Sequence, residues 1–142
     1  MRWRSPTNPV TQRPKSLCEI AERADSIEAW GLALGDLLDE IGFRRERSVV
    51  IASCLQAEPP LLRGKFAQGE VADAFAAALA EYLAAEHLRE NAPTWTRGCE
   101  RFLAPPWFAD DSPKLRDYLQ TSAPPMFRDH GVFIDAISLS RA

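Results

Sequence analysis

The chain has 142 residues, 46% of them apolar and 26% charged, which suits one globular domain with a core of its own and excludes wholesale disorder. No run approaches the roughly 18 consecutive apolar residues of a membrane span, and the opening MRWRSPTNPVTQRPK lacks the apolar centre of a secretory signal, so a cytoplasmic protein without a membrane partner is expected. The net charge of −3 divides unevenly: Arg2, Arg4, Arg13 and Lys15 give residues 1–15 a charge of +4, leaving −7 for the rest, and an acidic body disfavours a broad phosphate-binding face.

Residues 1–15, with Pro6, Pro9 and Pro14 among polar neighbours, read as a flexible basic arm, the one place where nucleic acid would touch. Folded structure is expected over 16–142, as a single helical domain. Ser16-Leu17-Cys18-Glu19 has the form of a capping box. Leu17, Ile20, Ala24, Ile27, Gly31, Leu34, Leu38 and Ile41 then step by three and four, predicting one long helix that ends at Gly42. Gly31 and Gly35 inside it imply a close neighbour or a bend. Residues 43–57 fit either a second helix or a short strand; helix is favoured because an isolated strand would lack a partner. Pro59 and Pro60 end it.

Residues 61–69 read as a loop with apolar anchors. From Glu70 to about Arg89, Val71, Phe75, Leu79, Tyr82 and Leu83 recur at helical spacing, and eight alanines fill much of the remaining surface, closed by Asn91-Ala92-Pro93. Beyond Pro93 lies a wrap of bulky aromatics between prolines. It runs through Trp95, Phe102, Trp107, Phe108, Tyr118, Phe127 and Phe133. Within it, Asp111-Ser112-Pro113 supplies a helix start, with Leu115, Tyr118 and Leu119 as its buried side. Residues 123–128 form another helical turn after Pro124 and Pro125, Gly131 takes the left-handed position at its end, and Asp135 caps a last short helix through Leu139. The fold class is therefore mainly α: a single compact helical domain with two long helices and an irregular Pro/aromatic-rich C-terminal wrap.

The residues that could carry chemistry are few. His87 and His130 are the two histidines, and neither stands in a nucleophile motif. Glu86, His87 and Glu90 fit a solvated helix face better than a metal site, because no second ligand-rich element accompanies them. Asp110-Asp111 fits a helix cap. Gly64 and Gly69 stand in no phosphate-cradling pattern, and the three cysteines, Cys18, Cys54 and Cys99, form no Cys-x-x-Cys pair. No catalytic residue, metal or cofactor is assigned. Arg128, between Phe127 and Gly131, is the polar side chain singled out for a bidentate carboxylate pair within the wrap or at an interface.

The order and spacing of Glu70-Val71-Ala72-Asp73-Ala74-Phe75, Pro93-Thr94-Trp95-Thr96, Pro106-Trp107-Phe108 and Phe127-Arg128-Asp129-His130-Gly131-Val132-Phe133 resemble a widespread family of small uncharacterised bacterial proteins. Its members resemble the antitoxin-like partners encoded beside nucleotidyltransferase-type toxins. The resemblance implies a non-catalytic protein-binding module, an antitoxin or regulator of a co-encoded enzyme. Trp95, Trp107, Phe108 and Arg128 are the candidate partner contacts, since Trp and Arg are enriched in interface hot spots. The alternative is a small hydrolase or transferase using Glu86, His87, Asp110 or His130.

Overall fold

A computed structural model describes residues 16–43, 47–110 and 112–139. The basic arm expected over residues 1–15 and the candidate cap Asp111 lie outside the described residues. The first helix starts as its sequence dictates: Ser16 Oγ accepts the Glu19 amide at 3.1 Å. It is short, however. α1 covers Leu17–Arg23, the backbone turns extended at Ala24 (ψ 137), and α2 covers Ile27–Phe43. The single long helix predicted from the seam is two helices, because Ser26 offers a second cap whose Oγ accepts the Ala29 amide at 3.1 Å.

The restart also moves the buried stripe. Trp30, Ala33, Leu34, Leu37, Leu38 and Ile41 face the core, whereas Gly31 is exposed with nothing within 4 Å of where its Cβ would stand. Gly31 therefore marks no close approach. α3, Arg47–Leu55, is the helix favoured over a strand, and it buries Ile51, Cys54 and Leu55.

α4, Gly69–Leu83, is the axis of the molecule. It is continued by a π-helical turn, Ala84–Leu88, that ends on Arg89 in the left-handed region (φ 54). Its alanines cover much of the helix surface and permit close packing against the neighbouring elements, as the alanine-rich sequence leads one to expect. Ala72, Ala74, Ala76, Ala77, Ala78, Ala80 and Ala84 are all buried, so small side chains admit neighbours on every face. α2, the π-turn and the wrap all contact it. The helix begins in a tight space: a Cβ on Gly69 would lie 2.0 Å from the main-chain oxygen of Leu62, which is why glycine stands there.

The wrap consists of 3-10 turns at Thr94–Arg97 and Cys99–Arg101, β1 at Trp107–Phe108, α5 at Pro113–Ser122, α6 at Pro125–Asp129, β2 at Val132–Phe133 and a 3-10 turn at Ala136–Leu139. β1 and β2 pair in parallel, Trp107 opposite Val132 and Phe108 opposite Phe133, a pairing the sequence did not announce. Gly131 permits it. At φ +82, with a Cβ position 2.9 Å from the Leu103 oxygen, it ends α6 and brings its own carbonyl to the Trp107 amide at 2.8 Å. Ser112 caps α5. Leu115 and Tyr118, expected to be buried, are 44% and 47% exposed, leaving Leu119 as the anchor of that helix.

Aromatic edges join the layers. Trp30 of α2 meets Phe75 of α4 at 5.6 Å, Phe75 meets Phe127 of α6 at 5.2 Å, and Tyr82 meets Phe127 at 6.2 Å. All three are edge-on, the geometry that ring quadrupoles favour. Phe127 is fully buried at their centre. Among the described residues, no helix is long and apolar enough to cross a membrane.

Candidate functional site

Two polar clusters and a groove occupy the seam between α4 and the wrap. The first cluster is centred on Arg101, whose side chain is 1% exposed. Its Nη2 donates to the Pro59 carbonyl at 2.6 Å and to Glu58 Oε2 at 3.2 Å, its Nη1 donates to the Asp73 carbonyl at 3.4 Å, and the guanidinium lies 4.9 Å over the Trp95 ring. Asp73, on α4 and equally buried, accepts the Leu62 amide at 2.7 Å and the Arg63 amide at 3.1 Å. Burial pushes the Asp73 carboxyl above its ordinary range, opposed by those amides, by Arg101 and by Arg63. The cluster ties the loop after α3 to α4 and to the wrap. Its chemistry is that of a clamp, since both Nη atoms of Arg101 and both carboxylate oxygens of Asp73 are spent within the fold. Arg101 Nε alone of the cluster's buried side-chain polar atoms has no hydrogen-bond partner.

The second cluster is formed by Glu81 of α4, Arg97, and Asp129 and His130 at the end of α6. Arg97 Nη1 donates to Glu81 Oε2 at 3.1 Å and to Asp129 Oδ2 at 2.8 Å, and these bonds, Asp129 first, hold it more firmly protonated. Its guanidinium also covers the Phe102 ring at 4.8 Å. His130 is fully buried and stacked on Phe102 at 4.1 Å. Its Nδ1 lies 2.6 Å from the Arg101 carbonyl and its Nε2 lies 3.0 Å from Glu81 Oε1.

The groove is a cavity of about 450 Å³ between the start of α4 and the approach to β1. Phe102, Leu103, Pro105, Pro106 and Trp107 supply its apolar wall, and Arg63 and Glu70 stand among its polar lining. The Trp107 side of the groove is held by backbone pairing and ring stacking. β1 is pinned by the β2 ladder, and behind it Phe108 stacks on Phe133 at 4.6 Å with Arg116 above it at 4.4 Å.

The four side chains proposed as partner contacts fall in different settings. Trp107 is half-buried in the groove wall and Arg128 is exposed. Trp95 turns inward, its Nε1 donating to the Leu55 carbonyl at 2.9 Å, and Phe108 is 9% exposed. Of the residues named for catalysis, Glu86 and Asp110 are exposed and His87 is half-buried. Burial lowers the His87 pKa, Arg47 adding to the effect and Glu86 opposing it. The acidic groups that meet His130 are Glu81 and Asp129, neither of which sequence reasoning had selected. Cys99 is exposed. Arg101, Asp73 and Arg97 were missed for one reason: a lone charged residue in the sequence carries no sign of its burial or its partners. Compared with known protein families, curated proteins and solved structures, the chain has no match.

Proposed function

We propose that this chain is a non-catalytic protein-binding module that neutralises or regulates a co-encoded enzyme, a nucleotidyltransferase-like toxin being the partner that the family resemblance implies. The observation that carries the reading is the groove around Trp107, with its apolar wall from Phe102 to Trp107. A prearranged aromatic wall binds without the entropic cost of ordering a loop, and a half-buried Trp flanked by Pro105 and Pro106 has the make-up of an interface anchor.

Charge narrows the occupant. With −7 on residues 16–142, the body attracts a partner with a basic face, which an enzyme that handles nucleic acid presents. Trp107 and Arg128 are the contact residues in this reading, while Trp95 and Phe108 hold the surface in shape from beneath.

The experiment is co-expression with each neighbouring gene product from the native host, followed by size-exclusion chromatography and affinity measurement. A stoichiometric complex is expected, weakened on the order of 30-fold by Trp107→Ala, as for the loss of a hot spot of about 2 kcal/mol, and weakened further as ionic strength rises. Neighbour-encoded proteins that all elute apart from this chain would refute the reading, as would a complex indifferent to both Trp107→Ala and Arg128→Ala.

A further inference from the structure

We propose that Glu81, Asp129 and His130 form a site for a divalent transition-metal ion of the zinc class, for which Arg97 is the internal competitor. This goes beyond the protein-binding reading and stands apart from it. The tautomer of His130 is fixed by its neighbours. A carbonyl oxygen only accepts, so the 2.6 Å contact of His130 Nδ1 with the Arg101 carbonyl places a proton on Nδ1. In the neutral ring, Nε2 then presents its lone pair to Glu81 Oε1 at 3.0 Å, and this buried nitrogen has no hydrogen-bond partner. Two acceptors facing each other inside a protein are reconciled by a cation: either a proton on Nε2, which makes the 3.0 Å contact an ion pair with Glu81, or a metal ion that both groups ligate.

The surrounding geometry suits a metal. The Glu81, Asp129 and His130 ligand atoms all lie within 4.8 Å of one another. Bonds of about 2.0–2.2 Å in a tetrahedral site put ligand atoms roughly 3.3–3.6 Å apart, so the Glu81–His130 pair at 3.0 Å has only to open by a few tenths of an ångström. Asp129, whose side chain is 51% exposed, has the freedom to draw its carboxylate in. The Nδ1–H bond to a main-chain carbonyl is the support that fixes the tautomer and orientation of a ligating histidine. One imidazole with two carboxylates suits zinc, iron or manganese. A cavity of about 360 Å³, lined in part by Glu81, Asn91, Thr96, Arg97 and Met126, adjoins the cluster and has room for water in the remaining coordination position.

Arg97 supplies the competing charge. Its Nη1 contacts both carboxylates, and its side chain is 57% exposed, so it can swing outward without disturbing the core. Guanidinium and metal would occupy the two carboxylates alternately, and binding of the ion would lift Arg97 off the Phe102 ring.

The test uses the untagged full chain and Co²⁺ as the probe, followed by visible absorption and by nitrogen NMR of the imidazoles, of which there are two. Saturable binding of one ion per chain is expected, with the His130 Nε2 resonance displaced, the His87 resonances unmoved, and Zn²⁺ displacing the probe. Asp129→Asn should weaken binding by about tenfold or more and Arg97→Ala should tighten it; both sites are at the surface, so neither variant endangers the fold. The proposal is overturned by a thiolate-to-cobalt charge-transfer band, which would place the ion on cysteine. It is overturned equally by no saturation up to about 1 mM, by affinity indifferent to both substitutions, or by an Nε2 that keeps a proton with and without the ion.

Discussion

Arg101→Met tests whether the clamp between the loop, α4 and the wrap is a structural determinant. Methionine retains most of the unbranched volume and fills irregular gaps, so the cavity contribution is small and the polar loss stands alone. The substitution leaves the Pro59 carbonyl without its 2.6 Å donor, a cost of about 1–3 kcal/mol for a buried acceptor. It also removes the guanidinium facing Asp73 where both side chains are 1% exposed. Glu58, 56% exposed, adds little because water replaces its partner. The sum lies in the range of about 3–5 kcal/mol found when one member of a buried pair is removed. At roughly 3 °C per kcal/mol for a chain of this size, the melting temperature should fall by about 10–15 °C, read by circular dichroism. Arg63→Met is the control: its side chain is 44% exposed, and it should cost under about 1 kcal/mol. A melting temperature for Arg101→Met within about 2 °C of the parent protein would show that the buried guanidinium does not hold the loop, and the clamp assigned to the first cluster would fall with it.

Gly69→Ala should destabilise by more than about 3 kcal/mol in urea titrations, because the new Cβ meets the Leu62 main-chain oxygen at 2.0 Å and the loop must give up its bonds to Asp73. Gly31→Ala, in open space on α2, should stabilise by about 1 kcal/mol. Equal effects at the two glycines would contradict the packing described. Burial, with Glu40 adding to it, pushes the Cys54 thiol from 9.0 up to about 12. Stability from this group is therefore complete below pH 9.0 and is lost as pH rises through that interval, because the unfolded chain releases its proton first. At about 1.4 kcal/mol per unit, the loss approaches 4 kcal/mol near pH 12, and Cys54→Ala should flatten that part of the alkaline unfolding profile. An unchanged slope would mean that the thiol is not secluded.

Much of the helical framework was legible because its signals are local. The Ser16 cap, the helix running through Val71, Leu79 and Leu83, the Ser112-Pro113 start and the Gly131 stop each depend on residues within a turn or two of one another. The break at Ala24 was harder to read, since Ser26 as a cap competes with a seam that continues unbroken through Ile27. In the structure the Ser26 cap starts a new helix, and Trp30 lies on its buried side. Leu115 and Tyr118 showed the opposite failure: helical spacing marks a face, but not whether anything covers it. The polar clusters were least legible. Asp73 and Arg101 are 28 residues apart, and Glu81 and His130 are farther still, so their meeting depends on how α6 and the 3-10 turns lie across α4. The groove was partly foreseen through Trp107, whereas the β1–β2 pairing that stiffens it spans only two residues per strand and leaves almost no alternation to detect.

The enclosure of α4 by neighbours on every side sets the order in which the molecule comes apart. Amides in the middle of that helix, between Ala76 and Ala80, have no route to solvent that spares the rest of the structure, so their deuterium uptake should follow global unfolding. α5 buries Leu119, with residues 112–118 exposed and held besides by Arg116 over the Phe108 ring and by the Tyr118 hydroxyl donating to Asp135, and its amides should exchange through local fraying. The chain thus divides into a slow axis and a fast outer strap, and a protease meeting the native protein should cut first in the strap while α4 remains protected.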